Sequence, residues 1–139
     1  MTALIETSRF GDLEFEEHET IRFPDGLLGF EDEHSFVVVP AGEDGVYSWL
    51  QSTATPEVAF LVTTPQVFFP DYAPEVPDDT VADLSLGDGT AAVLLSIVTV
   101  GERSVSANLL GPLVLNTATR TARQVVLSDG SFSTRHPLC

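Results

Sequence analysis

The sequence contains no lysine, and its six cationic side chains are all arginines, set against 21 aspartates and glutamates for a formal net charge of −15. Without a basic surface, a protein cannot neutralise the phosphates of a nucleic acid, so we expect no direct binding to DNA or RNA. The missing amine also excludes catalysis through a lysine Schiff base. Because an anionic surface speeds encounter with cationic molecules, these features favour a basic protein as partner.

Cysteine and long apolar runs are also scarce. Cys139 is the single cysteine, which excludes an internal disulfide and a multi-cysteine zinc site and fits a reducing compartment. Residues 1–6 lack the charged segment and the apolar run of a secretory signal. The longest apolar stretch, residues 91–100, is about half as long as the roughly 20 residues that span a bilayer as a helix. We therefore expect a cytoplasmic protein without a membrane partner.

A hydrophobic content of 43% and nine phenylalanines predict a folded core despite the charge. The length suits one domain over residues 1–139. Runs rich in Val, Ile, Phe and Thr predict many short strands, and the near absence of crossover helices predicts an all-β fold, a small antiparallel β-barrel or barrel-like sandwich. The predicted strands cover 4–7, 13–16, 20–23, 36–39, 47–51, 59–63, 92–100, 106–110, 113–116 and 124–127, and two short helices are predicted at 31–34 and 78–84.

The residue types that carry catalysis or hold a metal occur in no arrangement typical of such sites. His18, His34 and His136 match no zinc or two-metal spacing. Residues 87–92 match the Gly-x-Gly-x-x-Ala dinucleotide pattern, but they precede a β-branched run instead of following a strand and opening a helix. The carboxylates around Glu14 alternate with apolar residues, as on the solvent face of a strand. We therefore expect no metal, no cofactor and no enzymatic activity.

A proline-rich segment, residues 65–77, supplies the first candidate binding residues. Each of its four prolines removes a donor from a strand ladder, so we expect a rigid loop that presents aromatic side chains. Phe69, Asp71 and Tyr72 are predicted to contact a partner, since aromatic residues in a stiff loop act as anchors at low entropic cost. The alternative is that the two phenylalanines plug the barrel, and we place Phe68 in the core.

Three further candidates lie nearer the C-terminus. Asn108 is a polar residue within a predicted apolar strand, where it either completes a structural hydrogen bond or contacts a partner. Arg135 and His136 form a cationic spot in an acidic sequence, and they either tie down the C-terminal segment through a carboxylate or contact a partner. Trp49 and Gln51 share one face of a predicted strand, and we place the Trp49 ring in the core.

Six segments combine Pro, Gly, aromatic residues and single charges. They are Phe23–Glu31 (FPDGLLGFE), Trp49–Ser52 (WLQS), Phe68–Tyr72 (FFPDY), Ala107–Asn116 (ANLLGPLVLN), Gln124–Leu127 (QVVL) and Ser133–Leu138 (STRHPL). In this order and spacing they closely resemble the FliW family of flagellar assembly factors, and the resemblance covers residues 10–138. The chain departs from the family pattern in its lack of lysine and in Phe132, which stands where a tyrosine is expected.

The resemblance implies a small, barrel-like protein without catalytic activity that binds two proteins in the cytoplasm. One is flagellin, and the other is CsrA, a dimeric RNA-binding translational repressor. The free factor would antagonise CsrA, in a manner thought to be allosteric, and so couple the flagellin level to its translation. The net charge of the chain is compatible both with allosteric antagonism of CsrA and with direct competition against RNA, so competition stays open as the alternative. Two rival hypotheses are a flagellin chaperone without regulatory action and a carbohydrate- or metal-dependent enzyme on a small barrel.

Overall fold

The computed structural model describes residues 2–86, 92–128 and 130–138. Within these ranges the chain forms eleven strands, one α-helix and two short 3₁₀ turns. The strands are β1 (Thr2–Thr7), β2 (Gly11–Glu16), β3 (Ile21–Arg22), β4 (Ser35–Pro40), β5 (Tyr47–Ser52), β6 (Ala59–Thr63), β7 (Ala92–Val100), β8 (Val105–Ala107), β9 (Leu113–Asn116), β10 (Thr121–Gln124) and β11 (His136–Pro137); the helix α1 is Asp78–Asp83, and the 3₁₀ turns are Glu17–Glu19 and Pro65–Val67.

Seven of the strands form a closed ring. Its order is β7, β6, β5, β4, β3, β10, β9, and β9 pairs with β7 again. The pairings are antiparallel except for β3 with β10, which run parallel. Closure of this kind leaves no unpaired edge around the ring. The predicted antiparallel β-barrel is therefore confirmed, with one parallel pair that the sequence did not predict.

Alternation along the strands fills the barrel with apolar side chains. In β9, Leu113 and Leu115 belong to the barrel cluster, whereas Val114 belongs to a second cluster on the outside. Both faces of β9 are therefore buried, which explains its continuous apolar sequence. The buried members of the barrel cluster are Ile21, Phe23, Leu27, Phe36, Leu50, Val62, Leu113, Leu115 and Ala122.

The helix α1 covers part of the outside of the barrel. Leu84 and Leu86 follow the helix and pack in one cluster with Val114. The Asn116 Nδ2 group donates a hydrogen bond of 2.7 Å to the Leu84 carbonyl, which satisfies a backbone acceptor just beyond the end of the helix. The helix predicted at 78–84 is confirmed, one residue shorter.

The strands β1 and β2 form a separate two-stranded hairpin against the barrel. The Ser8 N–H donates to the Pro56 carbonyl at 3.1 Å, and the Arg9 guanidinium carbon lies 4.1 Å from the centre of the Trp49 ring. Trp49 is half-buried, and its neighbour Leu50 is the residue that enters the barrel cluster. The prediction that Trp49 lies in the core is therefore wrong: the ring lies outside the barrel, beneath Arg9.

Residues 31–34 form no helix, contrary to the prediction. The Glu33 carboxylate accepts hydrogen bonds from the Ser52 and Thr55 hydroxyls at 2.5 and 2.6 Å. The following residue, His34, places its Nδ1 atom 2.9 Å from a backbone carbonyl. Glu33 thus bonds to the segment that follows β5, and His34 bonds to the Phe23 carbonyl. Such competing contacts outweigh a weak local preference for helix.

The last strands also differ from the prediction. The strand predicted at 124–127 lies instead at Thr121–Gln124, because Asn116 closes a tight turn with its Oδ1 atom accepting from the backbone N–H groups of Ala118 and Thr119. The strand predicted at 106–110 ends at Ala107, and β11 was not predicted. Of the Gly-x-Gly-x-x-Ala pattern at residues 87–92, residues 87–91 lie outside the described residues.

Candidate protein-binding surface

The proline-rich loop after β6 is held by hydrogen bonds within itself. The N–H groups of Phe68 and Phe69 donate to the Pro65 carbonyl at 3.1 and 2.9 Å, and the Tyr72 N–H donates to the Phe69 carbonyl at 2.9 Å. The side-chain amide of Gln66 closes the loop by donating to the Tyr72 carbonyl at 3.1 Å. These bonds give the loop one defined shape, as its prolines predict.

Tyr72 fixes this loop to the turn that follows β8. Its side chain is only 5% exposed, and its hydroxyl donates a hydrogen bond of 2.6 Å to the Leu109 carbonyl. Its ring meets the Phe132 ring edge to face, with centres 5.1 Å apart. Burial raises the pKa of Tyr72 to about 12, because the phenolate is poorly solvated there. Tyr72 thus supports the surface from beneath and leaves almost no area for a partner.

The turn after β8 is organised by Asn108. Its backbone N–H donates to the Ile97 carbonyl at 2.9 Å, and its Oδ1 atom accepts from the Gly111 N–H at 2.8 Å. The Gly111 carbonyl in turn accepts from the Gln124 side-chain amide at 3.0 Å. Of the two roles that the sequence allows for Asn108, the structure shows a structural hydrogen bond, while its half-buried side chain still borders the surface.

The C-terminal segment crosses the same region. His136 pairs with Ala107 in the β11–β8 ladder, and its ring meets the Phe69 ring edge to face at 4.7 Å. Arg135 is exposed, and its backbone N–H donates to the Ser133 hydroxyl at 3.1 Å. The segment is therefore tied down at His136 by a ring contact and strand pairing.

These contacts bring the predicted residues together. We call the region formed by residues 68–72, 108–111 and 130–138 the candidate surface. Asp71 and Arg135 are exposed on it, and three predicted residues are half-buried there: Phe69, Asn108 and His136. Sequence reasoning missed Leu109 and Phe132, which contact Tyr72 from elements 37 and 60 positions away along the chain. No local pattern in a single sequence reports contacts over such distances.

Phe68 differs from the prediction that placed it in the core. It is half-buried, and its ring centre lies 6.0 Å from that of Tyr47. It belongs to none of the three buried apolar clusters. The aromatic pair therefore packs against the outside of β5.

Neither a metal centre nor a membrane span is found in the part of the chain that the structure describes. Over those ranges, no three His, Cys, Asp or Glu side chains lie close enough to hold a metal ion. Within the same residues, the helical segments are too short and too polar to cross a bilayer.

One protein-family model matches almost the whole chain. The model of the family described as FliW protein matches residues 4–138. The chain belongs to the FliW family. The resemblance drawn from the six segments is thereby confirmed.

Several FliW relatives match over nearly their whole length. The flagellar assembly factor FliW of Syntrophotalea carbinolica is 42% identical over 133 residues, covering 94% of each chain. That of Moorella thermoacetica is 38% identical over 135 residues, covering 95% of this chain and 85% of the relative. That of Bacillus licheniformis is 36% identical over 137 residues, covering 97% of this chain and 96% of the relative.

A solved FliW structure has the same fold. It is described as the crystal structure of the flagellar assembly factor FliW, and it superposes with a TM-score of 0.90 at 34% identity. The match covers 99% of this chain and 97% of the solved one. The superposed region thus spans nearly the whole of this chain, including the segments that form the candidate surface.

Proposed function

We propose that the chain is a non-enzymatic flagellar assembly factor that binds flagellin and CsrA and antagonises CsrA. In this proposal one domain, residues 1–139, acts in the cytoplasm and couples the flagellin level to flagellin translation. The observation that carries it is the match of the FliW model to residues 4–138, together with relatives named flagellar assembly factors over almost the same length.

The regulatory cycle needs only competition for the free factor. While flagellin accumulates, it holds the factor and lowers the concentration available to CsrA. When flagellin leaves the cell, the freed factor binds CsrA and reduces its occupancy of the flagellin messenger. If the two binding sites on CsrA are distinct, RNA must weaken binding of the factor by the same ratio by which the factor weakens binding of RNA.

The charge of the chain supports CsrA as one partner. An RNA-binding protein presents arginines and lysines, and this chain carries a formal charge of −15 without a single lysine. Encounter between the two is accelerated at low ionic strength and slowed by salt, since the Debye length falls to about 8 Å at physiological salt. We therefore expect the association rate with CsrA to fall steeply as salt rises.

The candidate surface supports contact through side chains rather than through a catalytic cleft. Asp71 and Arg135 offer exposed charges of opposite sign, beside the half-buried ring pair of Phe69 and His136. Rigid aromatic groups next to charged groups are typical of protein interfaces. Tyr72 is not included among the proposed contacts, because it is buried.

Purified components test the proposal. The chain is titrated with flagellin and with CsrA from the same organism by calorimetry, and CsrA binding to the flagellin messenger leader is followed by gel shift. We expect a complex with each protein and loss of the CsrA–RNA band as the factor is added. No complex with either protein at micromolar concentration would refute the proposal. Binding of flagellin with unchanged CsrA–RNA affinity would identify a chaperone alone.

A pair of charge reversals locates the interface. Asp71→Arg places a cation on the candidate surface, and we expect it to weaken partner binding by more than about 1 kcal/mol, or about fivefold in Kd. Asp12→Arg is the matched control, because it changes the net charge equally but lies on the separate hairpin. Equal effects of the two variants would show that only the overall charge matters.

A further inference from the structure

The C-terminal segment covers an apolar strip that the rest of the chain builds. We call residues 130–138 the strap. Beneath it lie Tyr72, Ala107 and Leu109, which are 5%, 1% and 2% exposed and form one buried cluster with the strap residues Phe132 and Leu138. The cluster is therefore completed from one side by the strap itself.

Besides the two-residue β8–β11 ladder, three backbone hydrogen bonds between described residues hold the strap. The Ser133 carbonyl accepts from the N–H groups of Leu109 and Leu110 at 2.9 and 3.2 Å, and the Leu138 N–H donates to the Val105 carbonyl at 2.9 Å. Its strand β11 has two residues, one of them Pro137, which has no N–H to donate. By contrast, β4 and β5 pair over five residues each.

The side chains of the strap pack against the barrel at few positions, and Phe132 contacts both the cluster of Tyr72, Ala107 and Leu109 and the cluster around Val114. None of its nine residues is buried, and only three are half-buried: Phe132, His136 and Leu138. Segments with few buried apolar contacts and exposed backbone bonds open at a lower free energy than the core of the same protein. The strap is thus expected to leave the barrel without unfolding it.

Departure of the strap would uncover a groove of defined chemistry. Its floor is Tyr72, Ala107 and Leu109, its rim carries Phe69, and one side is the edge of β8 that β11 now occupies. An exposed strand edge beside an apolar strip accepts an extended segment, which adds backbone hydrogen bonds to the edge and places alternate side chains in the strip.

We propose that the strap is displaceable and that the groove beneath it docks an extended, cationic segment of a protein partner. The strap itself has the chemistry proposed for this ligand. It carries Arg135 and no carboxylate side chain, and it places Phe132, His136 and Leu138 against the groove. A cationic segment suits a body whose formal charge is −15. This inference deepens the proposed function by assigning a site to one of its protein partners.

The strap sets the apparent affinity of such a partner. When only a fraction of the molecules is open, the apparent Kd rises by the inverse of that fraction. A closed strap therefore prevents nonspecific binding to the apolar groove. Only a segment that pairs with β8 better than the strap does can displace it.

Hydrogen exchange on the full chain tests displacement. We expect the amides of Leu109, Leu110 and Leu138 to exchange at least about a hundredfold faster than the protected amides of β4 and β5. Exchange of both groups at one rate would show that the strap opens only when the whole protein unfolds, and would overturn the inference.

A reversible lock tests docking. Ser106 and Pro137 are directly opposite in the β8–β11 pair, and opposite residues in antiparallel strands have Cα atoms about 4.5 to 5.5 Å apart, within reach of a disulfide. The lock is the variant S106C/P137C with Cys139→Ser to remove the natural thiol. The matched control is S48C/P40C, Cys139→Ser, since Ser48 and Pro40 are opposite each other in β4 and β5.

The probes are flagellin, CsrA and a synthetic peptide with the strap sequence GSFSTRHPL. We expect oxidation of the strap lock to weaken binding of flagellin or CsrA at least about tenfold relative to the same chain reduced with a thiol. The control lock should bind equally in both states. Equal binding by the oxidised and reduced strap lock would overturn docking in the groove.

The peptide separates this inference from the proposed function. At millimolar concentration it should shift the amide resonances of Leu109 and Leu110 in the reduced strap lock but not in the oxidised one, and a scrambled peptide should shift neither. If neither flagellin nor CsrA binds the reduced chain, the proposed function fails while the peptide result still decides the groove. No shift with the strap peptide would overturn the groove, and strap exchange between two copies, seen as a concentration-dependent dimer, would overturn the heterologous partner.

Discussion

Replacement of Tyr72 by phenylalanine tests how the candidate surface is supported. The variant keeps the ring and its edge-to-face contact with Phe132 but removes the hydroxyl that donates to the Leu109 carbonyl at 2.6 Å. An ordinary hydrogen bond contributes about 0.5–1.5 kcal/mol, and a buried acceptor left without a donor costs about 1–3 kcal/mol. We therefore expect Tyr72→Phe to lower the free energy of unfolding at pH 7 by about 1–2 kcal/mol.

The same variant has a second signature at high pH. The pKa of Tyr72 is raised from 10.0 to about 12 in the folded protein. Its contribution to stability is complete below pH 10 and is lost as the pH rises from 10 to 12, because the unfolded chain ionises first. Two pKa units correspond to at most about 3 kcal/mol. Phenylalanine cannot ionise, so only the wild type loses this contribution. The difference in free energy of unfolding between wild type and Tyr72→Phe should therefore narrow above pH 10.

Urea unfolding followed by the fluorescence of the single tryptophan, Trp49, measures both effects. Tyr47→Phe is the control, since it keeps Tyr72 and should keep the alkaline loss of stability. A gap between wild type and Tyr72→Phe that is the same at pH 7 and pH 11 would refute the role assigned to burial.

Two further predictions concern the rest of the fold. Gly26→Ala should lower the free energy of unfolding by at least about 3 kcal/mol, since φ is +68° and a Cβ would lie 2.6 Å from the Glu31 backbone. Gly29→Ala, at φ +83° with open space around it, should cost about 1 kcal/mol. Urea unfolding measures both losses, and losses of similar size would contradict the predicted clash at Gly26. Trp49→Ala should cost about 2 kcal/mol, below the loss for a core tryptophan, because the ring is half-buried under Arg9. Circular dichroism measures the unfolding of the Trp49→Ala variant. A loss of unfolding free energy near 5 kcal/mol would indicate that the Trp49 ring is part of the core.

The barrel strands were predictable because their signal is local. The predicted bounds of β6 and β7 coincide with Ala59–Thr63 and Ala92–Val100, which are rich in apolar and β-branched residues. The shift of β10 arose from side-chain hydrogen bonding by Asn116, which propensity does not include. β11 is missing from the prediction because two residues with a proline carry no strand signal.

The candidate surface was predicted by residue but not by role. The stiff proline loop suggested exposed aromatics, yet only tertiary contact decides that Tyr72 turns inward to Leu109. The same limit applies to Trp49, whose burial depends on the hairpin that folds over it. Exposure of a large side chain in a loop or at a strand face is set by distant elements, and a single sequence gives no measure of their approach.

The parallel pair of β3 with β10 determines when this barrel can be completed during synthesis. Arg22 donates its N–H to the carbonyl of Arg120 at 2.9 Å, so the ring joins the first fifth of the chain to the last. Until β9 and β10 leave the ribosome, β3 and β7 each lack one neighbouring strand of the ring. Unpaired edges of this kind invite association with other chains. Long-range closure also slows folding. The barrel of a nascent chain therefore stays open until synthesis is nearly finished.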